Sequence, residues 1–220
     1  MEVTLLSSDN QSFAGKPPHG VRRTGKPPAS TAIALELTNT SRPDKKENLR
    51  SLDALLPPSA LILSSSVAVT LKTQSAWVRH PERLAGIAAL PTFLEGRLVE
   101  VILPPRASAD SLERLKKFFG ALGKETAVVK DSPGMVMPRI LTMIINEAWF
   151  ALADETASAT DIDTAMKLGT NYPHGPLAWG ERIGLAHVHA VIEGLHRGFR
   201  EERYCVAPLL RRAASAAHPE

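Results

Sequence analysis

Residues 98–129 read LVEVILPPRASADSLERLKKFFGALGKETAVV, and this stretch decides the fold class. The apolar run 98–103 ends at two prolines, which predicts a strand. Residues 108–122 carry apolar side chains at helical spacing, and Gly123 follows as a stop signal. Residues 126–129 predict the next strand. Strand, helix and strand at these lengths predict an α/β unit with a parallel sheet.

The same alternation extends towards the N-terminus. Each predicted strand there is a short apolar run, and each predicted helix has apolar residues on one face. The strands are expected within 3–6, 31–37, 60–63 and 83–90, and the helices within 44–56 and 69–77. Residues 1–130 are therefore expected to form one α/β domain.

The segment Ser7–Ser30 interrupts this pattern. It contains GKPP twice, at 15–18 and 25–28, and no acid between Asp9 and Glu36. Proline and glycine at this density do not sustain a helix or a central strand. We expect a flexible basic loop, and a tolerated spacer is favoured over an anion-binding arm.

After residue 130 the pattern becomes helical throughout. Residues 135–152 are apolar on nearly all sides, which predicts a central buried helix and self-association through the C-terminal helices as a homodimer. Thr160 is expected to cap the next helix, with Asp163 in the capping-box position. Further helices are predicted at 176–181, 185–197 and 206–217. Residues 131–220 are thus expected to form an all-α dimerisation domain.

The bulk composition excludes several classes of protein. The 220 residues are 44% hydrophobic and carry a net charge of +3, which is too weak to indicate nucleic acid as a partner. Cys205 is the single cysteine, so an internal disulfide framework and a zinc site of several thiolates are excluded. The run 55–71 is broken by prolines and serines, so no membrane span is expected. The N-terminus does not resemble a signal peptide, and a cytoplasmic location is expected.

Several short motifs stand in a fixed order along the chain. They are PERLAG at 81–86, LVEVI at 98–102, DSPGMV at 131–136, NEA at 146–148, DID at 161–163 and GPL at 175–177. In this order and spacing, from about Ala32 to Leu210, the chain resembles the 3-hydroxyacyl-CoA dehydrogenase family.

The resemblance implies a Rossmann-like NAD domain followed by a helical dimerisation domain, with acyl-CoA in the cleft between them. Members of the family oxidise a 3-hydroxyacyl-CoA to the 3-ketoacyl-CoA. A histidine takes the hydroxyl proton while hydride passes to NAD, and a glutamate orients that histidine. A serine and an asparagine hold the substrate oxygen.

This chain departs from the family at most of those positions. Val67 stands at the substrate-binding serine, Ala88 at the histidine two residues after Gly86, and Pro138 at the asparagine. The orienting acid is retained as Glu100. The resemblance therefore implies a degenerate active site, since loss of the general base alone typically costs about 100- to 10,000-fold in rate.

The cofactor side departs as well. The sequence contains no G-x-G-x-x-G, and Val3–Leu6 resembles the family's second strand, so a truncated Rossmann-like domain without bound NAD is expected. Glu36 matches a family acid near the nicotinamide, but an ordinary strand-end acid is favoured. Ser64, Ser65 and Ser66 stay as candidate substrate-binding residues.

One further constellation concerns metals. His189, Glu193 and His196 share a helix face, yet solvated polar residues are favoured over a metal site, and no metal is expected.

Three functions follow as hypotheses. The first is a non-catalytic homologue that binds an acyl-CoA-like ligand or a protein partner. The second is an NAD-dependent dehydrogenase completed by a partner chain. The third is a purely structural subunit.

Overall fold

The computed structural model describes residues 3–6, 21–23, 30–104, 107 and 109–216. The strands of this part of the chain form one seven-stranded sheet in the order β2-β1-β3-β4-β5-β6-β7. Their bounds are β1 Val3–Leu6, β2 Val21–Arg23, β3 Ile33–Glu36, β4 Leu61–Ser65, β5 Leu84–Ile87, β6 Leu98–Ile102 and β7 Glu125–Val128. The α/β half expected from the alternating pattern is confirmed.

Helices alternate with these strands as expected. They are α1 Arg42–Leu55, α2 Leu71–Ser75 and α3 Ala109–Ala121, and a short 3-10 helix, Pro81–Arg83, leads into β5. Ser41 caps α1 and Thr70 caps α2 through their side-chain oxygens. Residue 108, where the predicted helix 108–122 begins, lies outside the described residues.

The sheet is parallel except at one pair. β6 runs antiparallel to β5, with Gly86 opposite Ile102, so the expectation of a parallel strand at 98–103 is wrong there. The connection 88–97 contains no helix. A parallel connection needs about a dozen or more residues, commonly a helix, so a connection this short turns the chain back. β7 then pairs parallel with β6 after the crossover through α3.

The place of β1 in the sheet revises its assignment. β1 pairs directly with β3, and β4 and β5 lie beyond β3 in the sheet. In the Rossmann order 3-2-1-4-5-6, the strand beside the fourth is the first. Here β3, β4 and β5 stand where that order has its fourth, fifth and sixth strands. β1 therefore occupies the place of the first strand in this sheet, although Val3–Leu6 was expected to correspond to the family's second strand.

The segment that was expected to be a loop contains one strand. Val21–Arg23 forms β2 and pairs parallel with β1, so it departs from that expectation. Residues 7–20 and 24–29 of the predicted loop lie outside the described residues.

The second half of the described chain is helical, as predicted. Its helices are α4 Met137–Ala153, α5 Ala159–Thr170, α6 Pro176–Ile183, α7 Leu185–Phe199 and α8 Pro208–Ala216, with a 3-10 helix at Glu202–Tyr204. The predicted domain boundary near residue 130 falls in the loop between β7 and α4. No helix of the described residues is long and apolar enough to cross a membrane.

The predicted capping box of α5 is wrong. Ser158 caps this helix by accepting from the backbone N of Asp161. Asp163 instead accepts hydrogen bonds from the backbone N of Leu177 at 2.8 Å and of Ala178 at 3.0 Å. Its carboxylate therefore holds the start of α6 rather than that of its own helix.

One apolar core joins the two halves. Sheet residues such as Ile62 and Leu84 belong to the same buried cluster as Ile145 and Val191 of the helical half. A second cluster, around Phe118 and Phe119, lies between the sheet and α3. The shared cluster fixes α7 against the sheet half, and this contact shapes the site described next.

Candidate functional site

The three positions where the resemblance implies serine, histidine and asparagine lie close to the boundary between the halves. Val67 is fully buried, and Ala88 is 5% exposed at the end of β5. Both belong to the apolar cluster that includes Met135 of the helical half. Pro138 is buried in the first turn of α4. None of the three side chains can accept or donate a proton, so these positions now contribute apolar packing.

Glu100 keeps a structural partner without the histidine. Its carboxylate accepts hydrogen bonds from the backbone N of Val136 at 2.8 Å and of Met137 at 2.6 Å. The backbone N of Ala88 donates to the carbonyl oxygen of Glu100 at 3.0 Å. A carboxylate at the N-terminus of a helix is stabilised by the free N–H groups and by the helix dipole. Glu100 therefore anchors α4 to the sheet.

The three candidate substrate serines are fully buried. Ser64 Oγ donates to Glu36 Oε2 at 3.0 Å, and Ser65 Oγ donates to the carbonyl oxygen of Ala89 at 3.0 Å. Ser66 Oγ accepts from Gln74 Nε2 at 3.1 Å. Each hydroxyl is thus engaged inside the protein, and a role in binding substrate stays a prediction.

Glu36 lies in a buried polar network at the end of β3. Lys45 Nζ donates to Glu36 Oε2 and to the carbonyl oxygen of Thr38, the latter at 2.8 Å. Glu36 Oε1 also accepts from the backbone N of Thr38 at 3.0 Å. Glu36 is fully buried and Lys45 is 1% exposed. A buried charge needs such a pair, because removing one partner leaves an uncompensated charge.

The residues around β1 and β3 do not fit a nicotinamide dinucleotide. At the place of the first Rossmann strand, β1 is followed in the sequence by Ser7, Ser8 and Asp9 instead of the glycines that let a backbone approach a pyrophosphate. The acid expected near the nicotinamide, Glu36, is enclosed with its bonds made inside the protein.

A cleft of about 490 Å³ lies between the two halves. One wall is formed by the start of α1 and the loop after β4, and the other wall by α7 and the end of α8. Its polar lining includes Asn39, Thr40 and Arg42 on the first wall and His189, Glu193 and Arg197 on the second. A smaller cavity of about 170 Å³ also borders both arginines and reaches Thr73 and Pro133.

The sequence pattern did not mark the two arginines of this lining as site residues. His189 and Glu193 were singled out with His196, but the cleft-facing set continues to Arg197, four residues after Glu193. That i, i+4, i+8 spacing marks one helix face and was available as a signal. Arg42 begins α1 and carries no local pattern that marks it.

The environment of His189 favours the neutral imidazole. Burial lowers its pKa, the nearby Glu193 carboxylate raises it, and Arg211 lowers it again. His189 Nε2 lies 3.8 Å from Glu193 Oε1. Within the described part of the chain, no group of three or more His, Cys, Asp or Glu side chains is arranged to hold a metal ion.

Family models match nearly the whole chain. The 3-hydroxyacyl-CoA dehydrogenase NAD binding domain matches residues 29–132, and the C-terminal domain of the same family matches residues 134–220.

Individual relatives agree with this result. A 3-hydroxybutyryl-CoA dehydrogenase of Bradyrhizobium diazoefficiens is 32% identical over 83% of this chain and 62% of its own length. A 3-hydroxyadipyl-CoA dehydrogenase of Escherichia coli is 49% identical over 60% of this chain and 28% of its own length. The chain thus spans 61% to 64% of the length of the first three curated relatives.

Solved structures show the same likeness in three dimensions. The crystal structure of (S)-3-hydroxybutyryl-CoA dehydrogenase from Ralstonia eutropha matches with a TM-score of 0.75 and 30% identity, covering 90% of this chain and 70% of that one. The sheet, the helical half and the sequence matches agree, and the chain belongs to the 3-hydroxyacyl-CoA dehydrogenase family.

Proposed function

We propose that this chain is a non-catalytic member of the family that binds an acyl-CoA-like ligand in the cleft between α1 and α7. One observation carries the first part of the proposal. Val67, Ala88 and Pro138 are buried at the family's catalytic positions, and they supply no base and no hydrogen-bond donor. Proton abstraction requires a base within hydrogen-bond reach of the hydroxyl.

The hydrogen bonds of Glu100 support the same conclusion. In the family this acid orients a histidine, whereas here it accepts two backbone N–H groups of α4. Its position has therefore been retained for a structural reason that does not require catalysis.

The cleft supports the second part. A volume of about 490 Å³ falls within the range of about 300–1,000 Å³ that is usual for small-molecule sites. Both halves line it, although Val67, Ala88 and Pro138 do not, and its walls combine alanine and valine with charged side chains.

The catalytic claim is tested with the full chain, acetoacetyl-CoA and NADH, by following NADH absorbance. We expect no turnover from the wild-type protein, and none from Ala88→His, because Val67 and Pro138 would still fail to hold the substrate oxygen. Turnover by the wild-type chain, alone or with a partner chain that completes it, would show that the protein is a dehydrogenase after all.

The binding claim is tested by isothermal titration with acyl-CoAs of increasing chain length. We expect saturable heat with at least one of them. If none produces heat at any accessible concentration, the acyl-CoA part of the proposal is removed.

A second candidate function is that of a structural subunit, and one observation favours it. Val136, Met137 and Ile140 at the start of α4 are 50%, 45% and 57% exposed. Three large apolar side chains exposed together on one helix are typical of a protein interface. This candidate is compatible with ligand binding in the cleft, because these residues do not line it.

A further inference from the structure

We infer that Arg42 and Arg197 form a two-sided clamp for a phosphate group at the mouth of the interdomain cleft. The inference rests on the proposed function, because it assigns a ligand chemistry to the same cleft. The two arginines come from different halves of the chain, one from the first turn of α1 and one from α7. They are the charged side chains shared by the main cleft and by the smaller cavity beside it.

Both guanidinium groups are available to a ligand. Each side chain is exposed, and within the described part of the chain no carboxylate lies within ion-pair distance of either one. The other arginines that face a carboxylate, such as Arg83 with Asp53, are already committed to structural pairs. Arg42 and Arg197 therefore keep their donors for a partner from outside.

Arg42 is also held in place. Its guanidinium carbon lies 5.5 Å from the ring centroid of Trp77, which is a cation–π contact. A guanidinium that stacks on a ring loses little further freedom when it binds, so more of the interaction energy appears as affinity.

The charge of the cleft favours an anion. Arg42 and Arg197 are opposed by one lining acid, Glu193, which lies beside His189. His189 carries less positive charge at neutral pH than a solvent-exposed histidine, because burial lowers its pKa. Arg211, which acts on His189, adds to the positive side.

The placement of the two arginines selects phosphate among anions. Two guanidinium groups on opposite walls suit an anion with several equivalent oxygens and a double charge, and a phosphate has both. A nucleoside diphosphate, free or as part of coenzyme A, carries this chemistry. The cleft accommodates a ligand of that size, while a single carboxylate would pair with only one of the two guanidinium groups.

The test uses isothermal titration on the full chain with three probes: coenzyme A, ADP and pantetheine, the last of which lacks phosphate. The variants are Arg42→Ala, Arg197→Ala and the control Arg212→Ala, an exposed arginine of α8 that lines neither cavity. Thermal melts confirm that each variant folds.

We expect coenzyme A and ADP to bind the wild-type protein and the control equally. Each cleft variant should weaken both by about tenfold or more, which is the usual effect of losing charge-assisted hydrogen bonds. Pantetheine should bind all four proteins alike.

The outcomes separate the two proposals. If coenzyme A binds the wild type and both cleft variants equally, the clamp is wrong and the proposed function stands. If ADP binding depends on both arginines but coenzyme A binds no better than ADP, the clamp stands and the acyl-CoA function fails. If no phosphate-bearing probe binds the wild type, both proposals are wrong.

Discussion

Glu100 connects β6 to α4 through two backbone hydrogen bonds, at 2.8 and 2.6 Å. The carboxylate is 6% exposed, so water competes weakly for these bonds. The resemblance places it at the family's catalytic acid, but its contacts are those of a helix cap. The same residue type at the same place therefore carries a stabilising function that a motif comparison would assign to catalysis.

Replacing Glu100 by glutamine should lower the free energy of unfolding by about 1–2 kcal/mol. Glutamine keeps one acceptor oxygen, but it loses the second and the charge. Urea unfolding measures the change. The matched control is Glu113→Gln, an exposed acid of α3 whose ion pair with Lys116 lies at the surface. It should change stability by less than about 0.5 kcal/mol. Equal effects of the two substitutions would contradict the capping role.

At the scale of elements, the contact between α7 and the loop after β4 depends on Gly194. A Cβ at this position would lie 2.5 Å from the carbonyl oxygen of Ala68 and 3.2 Å from its Cα. Backbone atoms on the opposite side cannot move away as a flexible side chain would. The absence of a side chain at Gly194 therefore sets how closely α7 approaches the sheet half.

Gly194→Ala should destabilise the protein by about 1–3 kcal/mol, because it forces α7 and the loop apart. Gly169→Ala is the control, since a Cβ there meets nothing within 4 Å in the last turn of α5. That change should be neutral, or stabilising by up to about 1 kcal/mol, because alanine has the higher helix propensity. The midpoints of thermal unfolding compare the two. A smaller loss for Gly194→Ala than for the control would show that the contact is loose.

The elements also show what the sequence could predict. The helical half and most strands follow from hydrophobic periodicity, which is local information. The direction of β6 does not, because it is decided by the short connection 88–97 rather than by the residues of the strand. Asp163 has the spacing of a capping box, but α6 lies closer in space and takes its carboxylate.

The residues of the candidate site also differ in whether the sequence could identify them. Val67, Ala88 and Pro138 could be named from the sequence, because the family pattern predicts which residue types to expect at their positions. Arg42 could not, since an arginine on a helix looks the same whether it faces solvent or a cleft. Arg197 shares a helix face with His189 and Glu193, but the spacing does not say what that face meets. The pairing of the two arginines is a property of the packed halves alone.

At the scale of the whole molecule, the start of α4 leaves an apolar surface uncovered. Val136, Met137 and Ile140 project there, while Leu141 and Ile145, further along α4, are buried in the shared core. A homodimer would cover this surface with its own copy, and a two-fold contact between identical patches is the commonest arrangement.

We therefore expect a dimer mass in light scattering. Ile140→Asp should shift the mass to that of the monomer, because a charge at the centre of an apolar interface loses its water without gaining a partner. Leu168→Asp is the control, since Leu168 is 82% exposed on α5, away from this surface. A monomer mass for the wild-type chain, or an equal effect of both substitutions, would count against the interface.

The close approach at Gly194 has a consequence for how a ligand would enter. With helix backbone against the carbonyl of Ala68, the two walls of the cleft have little room to close further. Ligand binding would then be a rigid-body association with a preformed site, without a hinge motion after the first contact. Related ligands would in that case differ mainly in residence time and much less in their rates of arrival.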